Sequence, residues 1–552
     1  MCTICASFTP WDPDCPYAKP DSDAETDNAA LDNSLPVYSY DQIATQLTNG
    51  YWGGNDYSFN VTTGGTLTVD LTGLTQDGQE MARLALQAWT DVSGIAFQEF
   101  STAAPTATVL EGADAGQGTS TAYSMSVGQD FAGSLGTAGD RDSVAVTLSA
   151  GRKVTIKLEG DGGAPLDGAV IRLLDSSGTV IREADGAHGM DTAIALKVPT
   201  SGTYYIEVAG ATGSETGDYR VELRDQRASS NITFDDNNSG AYAQFWISGS
   251  TITRSTVNID DSWAGGQNRI DGYFFQTYLH EIGHALGLGH AGNYNGSASY
   301  PFDADYANDS WQASVMSYFY QTENSFIDAS FAYVITPQIA DILAIHNLYG
   351  TPEARTGNDT YGVGGTTGSH LDQALSLSNP VSYTVFDTGG TDVFDFSGFA
   401  DDQRLDLREE NFSDLAGLVG NIGIARGTVI EYGVTGTGND TLIGNDAGNG
   451  LSAGGGSDTL NGGGGDDAVD GGDGNDSASG GTGRDMVTGG TGDDTLDGGD
   501  GGDLMIGDDV TLADLIALFP DWTPPVNAED LISEGDYLTL WEDILADVFA
   551  LA

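Results

Sequence analysis

Gln276-Thr-Tyr-Leu-His-Glu-Ile-Gly-His-Ala-Leu-Gly-Leu-Gly-His290 contains the pattern H-E-x-x-H-x-x-G-x-x-H. On a helix, His280 and His284 lie one turn apart on one face and can share a metal ion. Glu281, beside the first ligand, is set to act as a general base on a water at that metal. Gly287 lets the chain leave the helix sharply, and the turn returns His290 as a third ligand. Three neutral nitrogens leave a coordination position open, the arrangement of a catalytic rather than a structural zinc site. The chemistry expected of such a set is metal-assisted hydrolysis, with Glu281 taking a proton from water and passing it to the leaving amine.

Working outward, Ser314-Val-Met-Ser-Tyr318 follows, with Met316 lying 26 residues beyond His290. The eleven-residue motif together with this Met-turn resembles the metzincin peptidases. The histidine motif, the SVMSY turn, Ile339-Ala-Asp-Ile-Leu-Ala-Ile-His-Asn-Leu-Tyr-Gly350 and Arg355-Thr-Gly-Asn-Asp-Thr-Tyr361 are together similar to the serralysins. The resemblance implies that Met316 forms an apolar floor under the zinc. It also implies that Tyr318 joins the metal as an additional ligand and swings to support the oxyanion. Ala291 is a departure, because serralysins usually carry Pro after the third His. His188, His346 and His370 lack such company and read as structural or surface residues.

A second pattern lies downstream. Asp440, Asn449, Asp458, Asp467, Asp476, Asp485, Asp494 and Asp503 are each nine residues apart. Two positions after each comes a mostly apolar residue: Leu442, Leu451, Leu460, Val469, Ala478, Val487, Leu496 and Met505. Gly480-Gly-Thr-Gly-Arg-Asp-Met-Val487 fits the RTX nonapeptide, in which glycine turns and Asp carboxylates form oxygen cages on a parallel β-roll. All-oxygen ligands favour calcium over zinc, so the seven Asp at these slots are the expected calcium ligands. Asn449 and Ala447 interrupt the pattern, and that turn is expected to bind weakly.

Between the two ends of the catalytic part the texture changes. Short runs at 144–148, 154–158, 170–174, 193–198, 204–208 and 219–223 alternate like strands, separated by turn signals such as Asp175-Ser-Ser-Gly178. They predict an all-β sandwich. Gly139-Asp-Arg-Asp-Ser-Val144 and Gly202-Thr-Tyr-Tyr-Ile206 resemble the pre-peptidase C-terminal domain of secreted bacterial proteases, here inserted into the host domain. Earlier, Met81, Leu84, Ala85, Ala88, Trp89 and Val92 mark an amphipathic helix, and Ile95-Ala-Phe-Gln-Glu-Phe100 a strand.

The fold expected is therefore an α+β metzincin domain, an all-β sandwich insertion and a C-terminal parallel β-roll. The division is 1–35 leader or propeptide, 36–117 first peptidase part, 118–228 sandwich, 229–355 zinc-binding part, 356–510 RTX region and 511–552 C-terminal cap and type I secretion signal. Within the last segment Tyr537, Trp541, Ile544, Leu545 and Val548 have helical spacing, and Asp547-Val-Phe resembles the serralysin ending. Cys2, Cys5 and Cys15 are the three cysteines, all in the leader, which rules out a disulfide framework for the body.

Composition agrees. The 552 residues carry 81 Asp plus Glu against 19 Lys plus Arg, a net charge of −62. Binding to nucleic acid or to an anionic membrane surface is disfavoured, since both partners are polyanions. No apolar run is long enough for a membrane span. Beyond residue 356 there is no Lys and only Arg404, Arg408, Arg426 and Arg484. The carboxylates there read as a device that repels without cation and ligates with it. The function that the resemblance to serralysins and RTX proteins implies is a secreted, monomeric zinc endopeptidase acting on extracellular proteins, exported by a type I apparatus and folded by extracellular calcium. A catalytically silent RTX surface or adhesion protein is the alternative; the intact Glu281 speaks against it.

Overall fold

The computed structural model describes residues 34–99, 107–112, 114–162, 164–166, 168–185, 192–225, 230–264 and 269–507. The cysteines and the C-terminal segment 511–552 lie outside the described residues.

The part that carries the histidine motif is built on a six-stranded sheet in the order Ser58–Phe59, Thr251–Ile259, Ile232–Asp235, Thr66–Gly73, Ala96–Glu99, with Ala241–Ser248 paired to Thr251–Ile259. All pairings are parallel except the last, which is antiparallel. Ala241–Ser248 has no other partner strand among the described residues. Strands Thr66–Gly73 and Ile232–Asp235 are neighbours although the whole sandwich separates them in sequence.

Two helices cover the sheet. Gln76–Ser93 starts at Thr75, whose side chain accepts from the Gly78 amide, and stops at Gly94 in the left-handed region. Its buried stripe is Met81, Ala82, Ala85, Leu86, Ala88, Trp89 and Val92. Leu84, expected in the stripe, is only partly buried at its margin. Trp89 donates its indole N–H to the Leu279 carbonyl at 3.0 Å, which ties this helix to Tyr273–Ala285, the helix of the histidine motif. Every side chain from Phe274 to Ala285 is buried or glycine. A third helix, Ile339–Tyr349, packs against Gln76–Ser93.

The inserted segment forms two five-stranded sheets around a core of its own. Their orders are 180–185, 169–174, 202–210, 141–148, 124–125 and 192–197, 153–160, 217–225, 130–135, 108–110. Four of these strands escape the sequence pattern, two of them, Thr108–Leu110 and Ser124–Met125, being only two or three residues long. Asp130–Leu135 carries a glycine and two polar residues, and Val180–Asp185 is a charged edge strand. Thr108–Leu110 pairs with Asp130–Leu135, so the sandwich sheet takes in residues before 118.

Beyond residue 400 the chain coils between two parallel sheets. Strands 432–434, 450–452, 468–470, 486–488 and 504–506 build one, which the earlier strands 393–395 and 360–362 extend to seven, and 404–406, 441–443, 459–464, 477–483 and 495–501 build the other. Partners such as Leu451↔Val469 and Leu442↔Leu460 advance 18 residues per coil, two nonapeptides. Leu442, Leu451, Leu460, Val469, Ala478 and Val487 are buried between the sheets, whereas Leu496 is partly buried and Met505, in the last coil, is 54% exposed. Successive turns stack so closely that a Cβ on Gly474 would overlap the Gly456 carbonyl oxygen.

Candidate metal centre

The helix Tyr273–Ala285 presents His280 and His284 on one face, and the chain returns His290 to them. The return depends on Gly287, which has φ 109°, and a Cβ there would overlap the Tyr57 carbonyl oxygen. Gly287→Ala is expected to cost more than about 2 kcal/mol, combining left-handed strain with the overlap. The difference in chemical unfolding midpoint from wild type checks it. Ser255 and Tyr349 donate hydroxyls to the helix-end carbonyls of Ala285 and Leu286, at 2.8 and 2.6 Å.

The three histidines are buried, and their ligand atoms lie within 4.8 Å of one another. Each Nδ1 sits against a backbone carbonyl: His280 on Val315 at 2.8 Å, His284 on Leu288 at 2.8 Å and His290 on Tyr294 at 2.9 Å. A carbonyl can only accept, so each Nδ1 carries the proton and each Nε2 is left with a lone pair. The Nε2 atoms of His284 and His290 are 3.0 Å apart, and that of His280 is buried without a hydrogen-bond partner. Converging lone pairs repel, and a cation bound by all three nitrogens would relieve that repulsion. Burial holds the rings neutral, with His280 pushed down to about 4, His284 to about 3 and His290 well below the usual value. The donor set fits zinc.

Glu281 is fully buried, and neither carboxylate oxygen is capped by a well-formed hydrogen bond. Burial pushes its carboxyl up to about 8, opposed by the Ala243 amide of the edge strand. Met316 is buried directly against the motif helix: a Cβ on Gly283 would stand 2.6 Å from its sulfur. Tyr318 packs its ring 4.5 Å from that of His290 and 6.0 Å from that of His280. Its hydroxyl accepts from the Gly296 amide at 3.4 Å. His346 and His370 lie apart from this group, bonded through Nε2 to the carbonyls of Val92 and Ile335.

Sequence reasoning missed two buried acids that set the Met-turn. Asp341 accepts from the Ser314 hydroxyl at 2.6 Å and the Val315 amide at 2.7 Å, and so holds the residue whose carbonyl orients His280. Asp309 accepts from the Ser317 and Tyr294 hydroxyls. The only signal for Asp341 was its place in the first turn of a predictable helix; Asp309 had none.

In the coil, each slot aspartate uses one oxygen for the fold. The amides of Asp440, Asn449, Asp458, Asp467, Asp476 and Asp485 donate to Oδ1 of the aspartate 18 residues on. The other oxygen, Oδ2 of Asp440, Asp458, Asp467, Asp476, Asp485 and Asp494, is buried without a partner. These oxygens face glycine turns: a Cβ on Gly471 would meet Asp476 Oδ2 at 2.6 Å and the Gly489 carbonyl at 2.7 Å. Bare carboxylate and carbonyl oxygens around a cradle fit a hard cation. Burial pushes Asp458 and Asp467 up to about 7.

The Asn449 slot is different. Its Nδ2 donates to the Ile430 and Glu431 carbonyls at 3.2 and 3.1 Å, and its Oδ1 accepts from the Asn445 amide at 2.7 Å. An amide nitrogen thus satisfies carbonyls to which an aspartate at this slot could not donate. Asn449→Asp is expected to add one calcium ion to the stoichiometry by titration calorimetry. It is also expected to destabilise the calcium-free chain by about 1 kcal/mol.

Two further acidic groups were not singled out from sequence. Asp359, Asp387 and Asp392 converge between the histidine-motif part and the coil, and Glu111, Asp114 and Asp142 converge in the sandwich. Asp392 Oδ2 and Asp142 Oδ1 are buried without partners.

Comparison with known sequences agrees with this layout. Residues 190–350 match the family described as Matrixin, 351–514 the Peptidase M10 serralysin C terminal family and 140–210 the Bacterial pre-peptidase C-terminal domain. A serralysin of Photorhabdus laumondii is 40% identical over 247 residues, 42% of this chain and 50% of that protein. Serralysin C of Dickeya chrysanthemi is 47% identical over 175 residues, 31% of this chain and 36% of that protein. Metallopeptidase AprA of Pseudomonas marginalis is 44% identical over 186 residues, 33% of this chain and 39% of that protein. The chain thus spans half or less of the length of these curated relatives. Its histidine-motif and C-terminal parts are similar to serralysins, with a segment similar to the pre-peptidase C-terminal domain between the strands of the first.

Proposed function

We propose that this chain is a secreted zinc-dependent endopeptidase of serralysin type that hydrolyses peptide bonds in extracellular proteins. The observation that carries the reading is the convergence of three Nε2 lone pairs from His280, His284 and His290 beside the buried, uncapped carboxyl of Glu281. Those three nitrogens would hold zinc, which supplies a Lewis acid for the scissile carbonyl and for water. Glu281 takes the proton of the attacking water and delivers it to the leaving amine; burial tunes it toward neutral pH for both transfers. Tyr318, beside His290, donates its phenol to the developing oxyanion. The substrate backbone adds to the unpaired edge of Ala241–Ser248, which runs past Glu281 at Ala243.

In the same reading Asp440, Asp458, Asp467, Asp476, Asp485, Asp494 and Asp503 hold calcium in a parallel β-roll. The chain leaves the cell unfolded through a type I apparatus, folds in extracellular calcium and acts as a monomer. No helix among the described residues is long and apolar enough to cross a membrane.

Metal analysis of the secreted protein, with a casein assay before and after chelation, tests the reading. Equimolar zinc and cleavage that is lost on chelation and regained with zinc are expected. Zinc-loaded protein that leaves casein intact would favour the silent adhesion reading instead.

A further inference from the structure

The edge strand Ala241–Ser248 sends alternate side chains to opposite faces. On one face, Tyr242 and Trp246 are engaged within the protein. The Tyr242 hydroxyl accepts from Asn238 at 3.2 Å, and the Trp246 ring lies under the Arg254 guanidinium at 4.0 Å. On the other face stand Ala243, beside Glu281, and Phe245. Phe245 is only partly buried, and so are the two rings against it: Trp52 at 5.2 Å and Tyr57 at 5.6 Å between centroids, with Trp52 and Tyr57 themselves 5.9 Å apart. This aromatic wall is anchored to the metal centre. Trp52 donates its indole N–H to the Gly287 carbonyl at 2.8 Å, and Tyr51 packs its ring 5.1 Å from that of His290.

Resting on the peptidase reading, we infer that Phe245, Trp52 and Tyr57 form a side-chain subsite that selects peptides with a large aromatic or aliphatic residue at one fixed position. The position follows from strand geometry. A substrate strand paired on this edge places the side chain directly opposite Phe245 on the same face, within cross-strand contact. The residue opposite Ala243 is the one beside Glu281, and therefore beside the scissile bond. The selected residue is the second along the substrate from that one, and so the second or third residue from the scissile bond. Three partly exposed rings whose edges already face one another offer an apolar side chain a surface to bury against at little ordering cost. Phe245 is the specificity determinant, since Trp52 also holds the Gly287 turn.

The test uses the full chain loaded with zinc and calcium, and a set of fluorogenic peptides varied one position at a time around one cleavable bond. Wild type is expected to prefer Phe, Tyr or Leu over Gly by at least about tenfold in kcat/KM at one position, the second or third residue from the scissile bond, on one side only. Phe245→Ala is expected to collapse that ratio toward unity, with the loss expressed in KM. Phe245→Leu, a smaller change that keeps the face apolar, is expected to retain a preference shifted from aromatic to aliphatic residues. Cleavage by wild type with a flat profile at that position overturns the subsite and leaves the peptidase reading standing, as does an unchanged profile in both variants. Absence of cleavage by the metal-loaded wild type overturns the peptidase reading, and the subsite with it.

Discussion

Glu281→Gln is expected to lower kcat for peptide hydrolysis by about 10²–10⁴-fold or more, with zinc content and unfolding temperature unchanged or slightly raised. The direction of each follows from the environment of this one carboxyl. Glu281 is fully buried and its oxygens are not capped, so it contributes no hydrogen bond on which the fold depends. Burial already disfavours its charged form, and a neutral amide of the same shape removes that cost. What the amide cannot do is accept a proton. The substitution therefore separates chemistry from structure, as Glu281→Ala would not, because truncation leaves a cavity beside the metal ligands.

The readouts are kcat and KM on a fluorogenic peptide, zinc by atomic absorption and a thermal melt. A fall in kcat with little change in KM marks an interaction used only in the transition state. Wild-type turnover in Glu281→Gln would remove Glu281 from the mechanism. A parallel loss of zinc and melting temperature would instead assign it a structural part.

How much of this was legible in the sequence depended on how local each signal was. His280, Glu281, His284, Gly287 and His290 sit within eleven residues, so helix periodicity alone brings them together. The coil was equally legible, because its period of nine repeats one small unit. The supports of the site were not. Asp341 reaches Val315, Asp309 reaches Ser317, and Tyr349 and Ser255 cap the motif helix from distant strands and helices. Each is a single residue of a common type, distinguished only by burial, which tertiary packing creates. The wall of Trp52, Tyr57 and Phe245 joins a loop to a strand on the far side of the sandwich insertion, and no periodicity links them. Asn449 shows the intermediate case. The missing acid was readable, but the amide's bonds to Ile430 and Glu431 depend on how the preceding turn stacks beneath it.

The second large effect concerns the coil itself. Removing calcium is expected to unfold residues 440–506 at about pH 8, yet to leave much of that segment folded at about pH 4. Without cation, the slot carboxylates are buried oxygens with one partner too few. Burial raises Asp458 and Asp467 to about 7, and raises Asp440, Asp476 and Asp485 as well, with neighbouring slot aspartates adding to the shift at Asp458, Asp467, Asp476 and Asp485. The unfolded chain titrates near 3.9. A group whose folded value lies above its unfolded one contributes stability that is present below about pH 4 and lost as pH rises through about 7. The calcium-free coil is thus most stable in acid. With calcium the slope inverts, because the ligands must be deprotonated and acid competes with the metal. Circular dichroism of chelating-resin-treated and calcium-replete protein, from about pH 4 to 8, should give two stability curves that cross. The net charge of −62 relaxes in acid throughout the chain and pushes the calcium-free curve in the same direction. Asp467→Asn separates the contributions, since it changes total charge by only one unit. If the slots dominate, this variant flattens the calcium-free pH dependence and weakens the stabilisation by calcium together. Calcium-free curves that coincide in slope for wild type and Asp467→Asn would assign the effect to overall repulsion and remove the slots as the switch.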